Sequence, residues 1–580
     1  MKTSYDLVIR GGTVADGTGA ALKEADIAVV GGRIAAVGTI PGKGAEEVDA
    51  RGLLVTPGFV DLHTHYDGQA TWDQRLTPSR WHGITTAVMG NCGVGFAPVR
   101  VPDRERLLEL MEGVEDIPGV VLREGLDWRW ESFGEYLDVL DGTARDIDIC
   151  AQLPHAPLRV FVMGERAARL EPATADDIAQ MRLLAADAMR QGALGFSTSR
   201  TLNHRSSKGE STPSLRATEE ELLGIALGMQ DAGAGVLQLI SDWTDPDAEF
   251  AMVRRLVEKS QRRLSFSMGQ HHDRPGEWRR LLDLTEQAAR DGLDIRAQVA
   301  PRSISILMGL ESSMSFFDGF PSYDAIHALP LQEKLAVMRT PGFRERLLGE
   351  QQAEPNSPIA KRIRSADRIF PLADPPMYEP TAQASLAGTA ARTGRTVAEV
   401  AYEHLVAGDG RGLLFAPLNN YAAGNLETCR EMIASPFTLP GLGDGGAHVS
   451  FISDANFPTY LLSHWGRDRA SGRFPVEYLV KRLTSDCARY IGLNDRGQLQ
   501  PGQKADINLI DFDSLRSGMP YMANDLPKSG KRLLQKAYGY RRTIVSGVTT
   551  YLDGEPTGAM PGRLVRGGGR ALSPASPPTI

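Results

Sequence analysis

The chain has 580 residues, 42% hydrophobic, 7% aromatic and 23% charged, with a net charge of −8. This globular composition excludes a disordered tail, a collagen-like repeat and a coiled coil. The acidic balance without a Lys/Arg block argues against a nucleic-acid partner, and four cysteines (Cys92, Cys150, Cys429, Cys487) are too few for a disulfide scaffold and suit a reducing compartment.

The opening MKTSYDLVIRGG lacks the apolar core of a signal peptide because Asp6 and Arg10 interrupt it. No segment reaches the roughly 18 apolar residues of a membrane helix. The expectation is a cytoplasmic protein acting on a small molecule, without membrane contact; self-association is left open.

In chain order, DLVIRGGTVADGTG and ADIAVVGGRIAAVG read as strand–turn–strand units, with turns at Asp16-Gly17 and Gly31-Gly32. QLQPGQKADINLIDFDSL and YRRTIVSGVTTYLDGEPTGAMPGRLVRGG repeat this texture near the C-terminus. The two ends are expected to pair into one β-domain, residues 1–57 plus 498–580. Between them, short apolar strands ending in polar residues alternate with helical stretches such as ADDIAQMRLLAADAMRQ and EEELLGIALGMQDAG. That alternation predicts a parallel sheet, and about eight such units predict a closed barrel over 58–497. The fold class is therefore α/β: a (β/α)8 TIM barrel with a small β-sandwich domain formed from both termini. A Pro- and charge-rich stretch at 303–393 is the expected insertion or lid, and a polar Pro/Ser-containing tail follows Gly567.

The chemistry is expected at the strand ends. In VDLHTH, residues i and i+2 face one side of a strand, so His63 and His65 converge where barrel active sites lie, with Thr64 turned into the wall. Two neutral imidazoles make half of a zinc-type site. Asp444, in GLGDGGAH, is a candidate metal ligand and general base. Cys92, in MGNCGVGFAP, is a candidate thiolate ligand. His155, in QLPHAPLR, is a candidate to polarise a carbonyl or bind a second ion. Arg200 and His204, in STSRTLNHR, and Gln238, in VLQLISDW, are candidate substrate-binding residues, the arginine by gripping a carboxylate. Of His271 and His272, at most one faces the mouth. Singly, each has a bland reading as a buried core group or turn residue; at successive strand ends they read as a site.

These segments together resemble the amidohydrolase superfamily, within it the N-acyl-D-amino-acid deacylase (D-aminoacylase) branch. HTH, NCG and the DRGQLQPGQKAD run carry the resemblance most specifically. It implies a metal-dependent barrel with a β-sandwich from both termini. It also implies His63 and His65 as first-strand ligands, and Cys92 in place of a bridging carboxylated lysine. His155 would sit near the substrate carbonyl, with Asp444 as general base. This chain departs from that pattern in three places. VLQLISDW has no fifth-strand histidine, LSFSMGQHHD has histidines only beyond the expected position, and Gly443 replaces a serine. Either His271 or His272 substitutes as a ligand, or Gln238 contributes an oxygen, or one ion or none is bound. The expected cofactor is a divalent metal, zinc by donor type, as one or two ions. The expected reaction is hydrolysis of an amide C–N bond in a small N-acylated amino acid. The alternatives are another amide, a cyclic amide or a lactone, and, from a different class, a catalytically silent barrel that binds or scaffolds.

Overall fold

The computed structural model describes residues 5–353, 361 and 365–567. The tail after Gly567 and part of the expected insertion (354–360 and 362–364) lie outside the described residues.

Eight parallel strands form the central sheet: Phe59–Asp61, Ile84–Met89, Asp148–Pro154, Gly195–Arg200, Val236–Ser241, Leu264–Ser267, Ile295–Gln298 and Thr438–Leu439. Each pairs with its neighbour in sequence order, so the sheet curls as a barrel does. The intervening helices follow local chemistry. The helix Ala175–Gln191 starts at a capping box, Thr174 and Asp177 each satisfying the other's backbone N–H, and stops at the left-handed Gly192. It buries Met181, Ala185, Ala188 and Met189 at helical spacing. The next helix, Glu219–Ala232, is capped by Thr218 and ends at left-handed Gly233.

The last strand does not meet the first through a regular ladder. The seam is closed beyond the strand ends, by the two motifs singled out in the sequence. His65 N–H donates to Gly445 O at 2.8 Å, Asp444 N–H donates to His63 O at 2.9 Å, and Thr64 bridges Gly445 in parallel. Gly443 is required at this seam for a steric reason: a Cβ there would lie 2.2 Å from Asp61 Oδ2. The Asp61 carboxylate underneath accepts the His63 N–H at 3.1 Å and the Gly443 N–H at 3.4 Å.

Both chain ends join one nine-stranded sheet. Ile507–Ile510 runs antiparallel to Leu54–Pro57, between N-terminal strands on one side and Tyr540–Val545 on the other. Its core includes Ile9, Ile27, Val55, Ile507, Leu509 and Ile544. A buried ion network ties this sheet to the barrel floor. Arg496 NH1 donates to Asp148 Oδ2 at 2.7 Å, and Lys504 Nζ lies 3.1 Å from that same oxygen and 2.5 Å from Asp506 Oδ1. The DRGQLQPGQKAD run thus acts as an anchor. Burial alone would raise the Asp148 pKa; Lys504 and Arg496 outweigh it and hold it below the usual carboxylate range.

Between the seventh and eighth barrel strands the chain builds an insertion around an antiparallel sheet of Ser305–Met308, Leu414–Pro417 and Phe370–Pro371. It extends beyond Thr393, because Leu414–Pro417 is the central strand of that sheet. Phe451 and Ile452, just past the Asp444 loop, bury into its core with Ile306, Phe317, Leu405 and Leu414. Leu307 N–H donates to Phe451 O at 2.7 Å. Among the described residues, no helix is long and apolar enough to cross a membrane.

Asp148→Asn removes the carboxylate that two buried cations share, leaving Lys504 with Asp506 and Arg496 with Asp495, and should cost about 1–3 kcal/mol in chemical denaturation; no measurable loss would show the network to be incidental. Because the folded Asp148 titrates low, its stabilisation is present above about pH 4 and is lost on acidification below that. Gly443→Ala should lower stability by about 1–3 kcal/mol through overpacking against the Asp61 carboxylate. No loss in this variant would contradict the steric account.

Candidate metal centre

His63 and His65 lie just past the first strand, on one face, with ring centroids 5.3 Å apart. Thr64 points the other way, as alternation requires, its Oγ1 donating to Val88 O at 2.8 Å. Cys92 is presented by a loop of left-handed residues, with φ of 79°, 54° and 69° at Gly90, Cys92 and Gly93. Cys92 is the strained member, since a side chain disfavours that region. Side chains hold the loop's backbone. Asp67 accepts the Gly90 N–H at 3.1 Å, Gln238 Oε1 accepts the Cys92 N–H at 2.9 Å, and Ser197 Oγ accepts the Gly93 N–H at 2.9 Å.

The result is a convergence of four donors. His63 Nε2 lies 3.2 Å from Cys92 Sγ and 3.4 Å from Asp444 Oδ1. His65 Nε2 lies 3.7 Å from that same oxygen. Among the described residues, His63, His65 and Cys92 form the one His/Cys/Asp/Glu cluster whose ligand atoms lie mutually within 4.8 Å. The opposite ring nitrogens face supporting groups. His63 Nδ1 is 2.7 Å from Gln298 Oε1, and His65 Nδ1 is 3.1 Å from Glu115 Oε1.

The electrostatics are those of a cation site. Burial lowers the His63 pKa to about 4 and pushes His65 well below its usual value, helped by neighbouring histidines. Both rings are therefore neutral, as metal ligation requires. Burial also raises Asp444, reinforced by Asp454 and Asp61, and raises Glu115, reinforced by Asp444 and Asp67. It raises the Cys92 thiol too, reinforced by Asp444, Glu115 and Asp67. Asp61 and Asp67 are each lifted to about 7, chiefly by burial. Acidic groups held neutral by burial, with Asp444, Glu115 and Cys92 further suppressed by acidic neighbours, are what a divalent ion would reconcile. Two imidazoles, a thiolate and a carboxylate also form a donor set typical of zinc. The residues present therefore fit a divalent metal.

The remaining expected residues are distributed differently. His155 opens the helix His155–Met163; its Nδ1 meets Thr198 Oγ1 at 2.8 Å and its Nε2 meets Glu221 Oε1 at 2.9 Å. Arg159 shares that Glu221 oxygen at 2.7 Å, so both His155 nitrogens are engaged in a buried Glu–Arg network. His271 stands in a backbone bridge with Asn419, apart from the metal-ligand cluster. Gln238 offers its oxygen to the Cys92 loop, and its buried Nε2 has no hydrogen-bond partner among the described residues. His204 Nδ1 lies 2.9 Å from Ser199 Oγ; burial, with His448 and His63, lowers its pKa to about 3. Arg200 NH1 donates to Ala217 O at 2.7 Å. A cavity opens beside Asp444, lined also by Gln69, Thr77, Asp454 and Arg532. The guanidinium on it is thus Arg532, brought by the C-terminal hairpin Tyr521–Leu526/Gly530–Leu534, and not Arg200.

Sequence reasoning missed Glu115, Gln298, His448 and Arg532. Gln298 ends the seventh strand, so the strand-end rule that found His63 reaches it, but an amide carries no titration signal. Glu115 ends the helix Arg104–Glu115 and Arg532 lies on a distant hairpin; neither has a local signature.

The comparisons with known proteins agree with this geometry. A model of the amidohydrolase family matches residues 46–551. The chain is 27% identical to the D-aminoacylase of Alcaligenes xylosoxydans xylosoxydans, over 97% of each chain. It is 26% identical to the N-acyl-D-glutamate deacylase of the same organism, over 98% of this chain and 97% of the relative. The crystal structure of N-acyl-D-glutamate deacylase from Bordetella bronchiseptica, complexed with zinc and a phosphonate inhibitor, superposes with a TM-score of 0.64 at 22% identity, covering 97% of this chain and all of that one. With a family model spanning most of its length, and HTH and NCG meeting at one buried cluster with Asp444 beside it, this chain belongs to the amidohydrolase family.

Proposed function

We propose that this chain is a metal-dependent amidohydrolase that cleaves the C–N amide bond of a small N-acylated amino acid. The observation that carries the reading is the buried cluster of His63, His65 and Cys92, with Asp444 Oδ1 3.4 Å and 3.7 Å from the two Nε2 atoms and lining a cavity. The full-length likeness to two deacylases of N-acyl-D-amino acids supports the substrate class. The zinc and phosphonate in the Bordetella bronchiseptica complex, a mimic of that reaction's tetrahedral intermediate, support the chemistry.

A divalent ion held by His63, His65, Cys92 and Asp444, zinc by donor type, would supply Lewis acidity toward the scissile carbonyl and acidify water. The chain's own residues do the rest. Asp444 is the most open of the four, with its side chain 16% exposed against 2% and 3% for the histidines. Its carboxylate takes a proton from the attacking water and passes it to the leaving nitrogen as the C–N bond breaks, giving a carboxylate and an amine. Gln238 Nε2, buried and unpartnered beside Cys92, donates to a substrate oxygen. Arg532 lines the cavity with its guanidinium held by the Asp525 carboxylate at 2.7 Å and by Thr77 O at 2.9 Å, so it shapes the wall of the site. His155 braces the third and fourth strand ends through Thr198 and Glu221. His204 and Arg200 flank the mouth.

Two experiments test the reading. Asp444→Asn should lower kcat by about 10²–10⁴-fold, the range for a lost general base, with the circular dichroism unchanged. Turnover within about threefold of wild type would remove Asp444 from the mechanism. A panel of N-acyl-D- and N-acyl-L-amino acids against cyclic imides should give metal-dependent release of the free amino acid from the acyl compounds. Hydrolysis of the imides alone would overturn the substrate class.

A further inference from the structure

The two histidines of HTH could each turn either ring nitrogen toward the cavity. What decides between them lies behind the rings, and it differs for the two. Behind His63 is Gln298, whose Oε1 faces Nδ1 at 2.7 Å. Its Nε2 donates to Ser265 Oγ at 3.0 Å, so the amide is fixed from the sixth strand. Behind His65 is Glu115, whose Oε1 lies 3.1 Å from Nδ1 as an ion-pair neighbour, without the alignment of a hydrogen bond. Glu115 is 1% exposed. Its other oxygen, Oε2, has no hydrogen-bond partner among the described residues and lies 4.0 Å from His448 Nε2. A buried carboxylate facing an imidazole has the form of the carboxylate–histidine–metal arrangement that fixes ring tautomer and raises ligand basicity.

The position of Glu115 is itself built. It ends its helix, and the next residue, Asp116, turns left-handed with φ of 54°. The Asp116 carboxylate then accepts from Ser450 Oγ, and from Ser450 N–H and Ser313 Oγ at 3.3 Å each. Val449 N–H donates to Glu115 O at 3.3 Å. The helix end, the Asp444 loop and the insertion are thereby joined at the residue that backs His65.

We propose that Glu115 and Gln298 are positioning residues for a single metal ion: Gln298 accepts the Nδ1 proton of His63 and the Glu115 carboxylate stands 3.1 Å from Nδ1 of His65, so that both Nε2 lone pairs face an ion shared with Cys92, with Asp444 beside it. The polar side chains of the fifth and seventh strands add no further ligand. Gln238 Oε1 is used by the Cys92 N–H and Gln298 Oε1 by His63. The inference rests on the metal-dependent reading above, but its test does not need turnover.

The test is zinc binding to the purified full-length chain by chelator competition, with metal content by elemental analysis and the absorption spectrum of the cobalt-loaded protein. Wild type should hold one ion per chain. Glu115→Leu should weaken zinc binding by about 10–100-fold, the range for loss of a ligand's supporting partner, and should alter the cobalt spectrum. Glu115→Gln, which keeps an acceptor at the same reach, should recover most of the affinity. Thermal unfolding of the metal-free variants guards against a folding defect: if Glu115→Leu does not fold, Glu115→Gln together with Gln298→Leu carries the test. Two ions per chain, or unchanged affinity in every folded variant, would overturn the inference. Failure to hydrolyse any amide, with these binding results intact, would overturn the functional reading and leave this one standing.

Discussion

The constraint on which the site depends is the seam that closes the barrel. The first and eighth strands are short, three and two residues, and the ring is completed beyond their ends by backbone hydrogen bonds between His63–His65 and Asp444–Gly445. The groups that close the fold are thus the groups that carry the donors. In an extended segment, neighbours point to opposite sides. Backbone pairing at Thr64 therefore aims the imidazoles on either side of it into the same space as Asp444. Gly443 lets the strands approach over the Asp61 carboxylate, and left-handed Asp444 (φ 46°) turns its side chain inward. Moving the seam would move the ligands.

Around that seam, the fold gathers buried acidity and few cations. Asp61, Asp67, Glu115, Asp444 and Cys92 all lie at the barrel mouth, each pushed toward its neutral form chiefly by burial. The contrast with the barrel floor is instructive. There Asp148 is equally buried, but Arg496 and Lys504 hold it ionised. One end of the barrel has its charges balanced within the chain; the other has a balance that a divalent ion would complete. This asymmetry separates a structural ion network from a functional one more clearly than any single perturbed residue does. It also weighs against a silent scaffold, in which the acidity at the mouth would have no counterpart.

Much of this was legible in the sequence, for physical reasons. The strand–helix alternation gave the barrel, because each unit is local. The Gly-rich strands at both ends gave the shared sheet, because neither end has enough bulky residues to stand alone. HTH was readable because a period of two fixes side-chain direction. The supporting groups were not readable, because they arise from tertiary packing. Glu115 ends an otherwise ordinary amphipathic helix, and Arg532 comes from a hairpin that crosses to the barrel mouth only in three dimensions. His155 shows the converse: a histidine at a strand end looks available until Thr198 and Glu221 are seen on its two nitrogens. The insertion was visible in composition, but its extent was not, since Leu414–Pro417 returns to pair with Ser305–Met308 from over a hundred residues away.

The central claim is that one cation is gathered where the seam brings His63, His65, Cys92 and Asp444 together. The most direct measurement is an anomalous difference map at the zinc absorption edge, from crystals of the zinc-loaded protein. The account predicts one strong peak within bonding distance of both Nε2 atoms, the Cys92 sulfur and an Asp444 oxygen. A map without a peak there, or with its strongest peak away from these four groups, would contradict it.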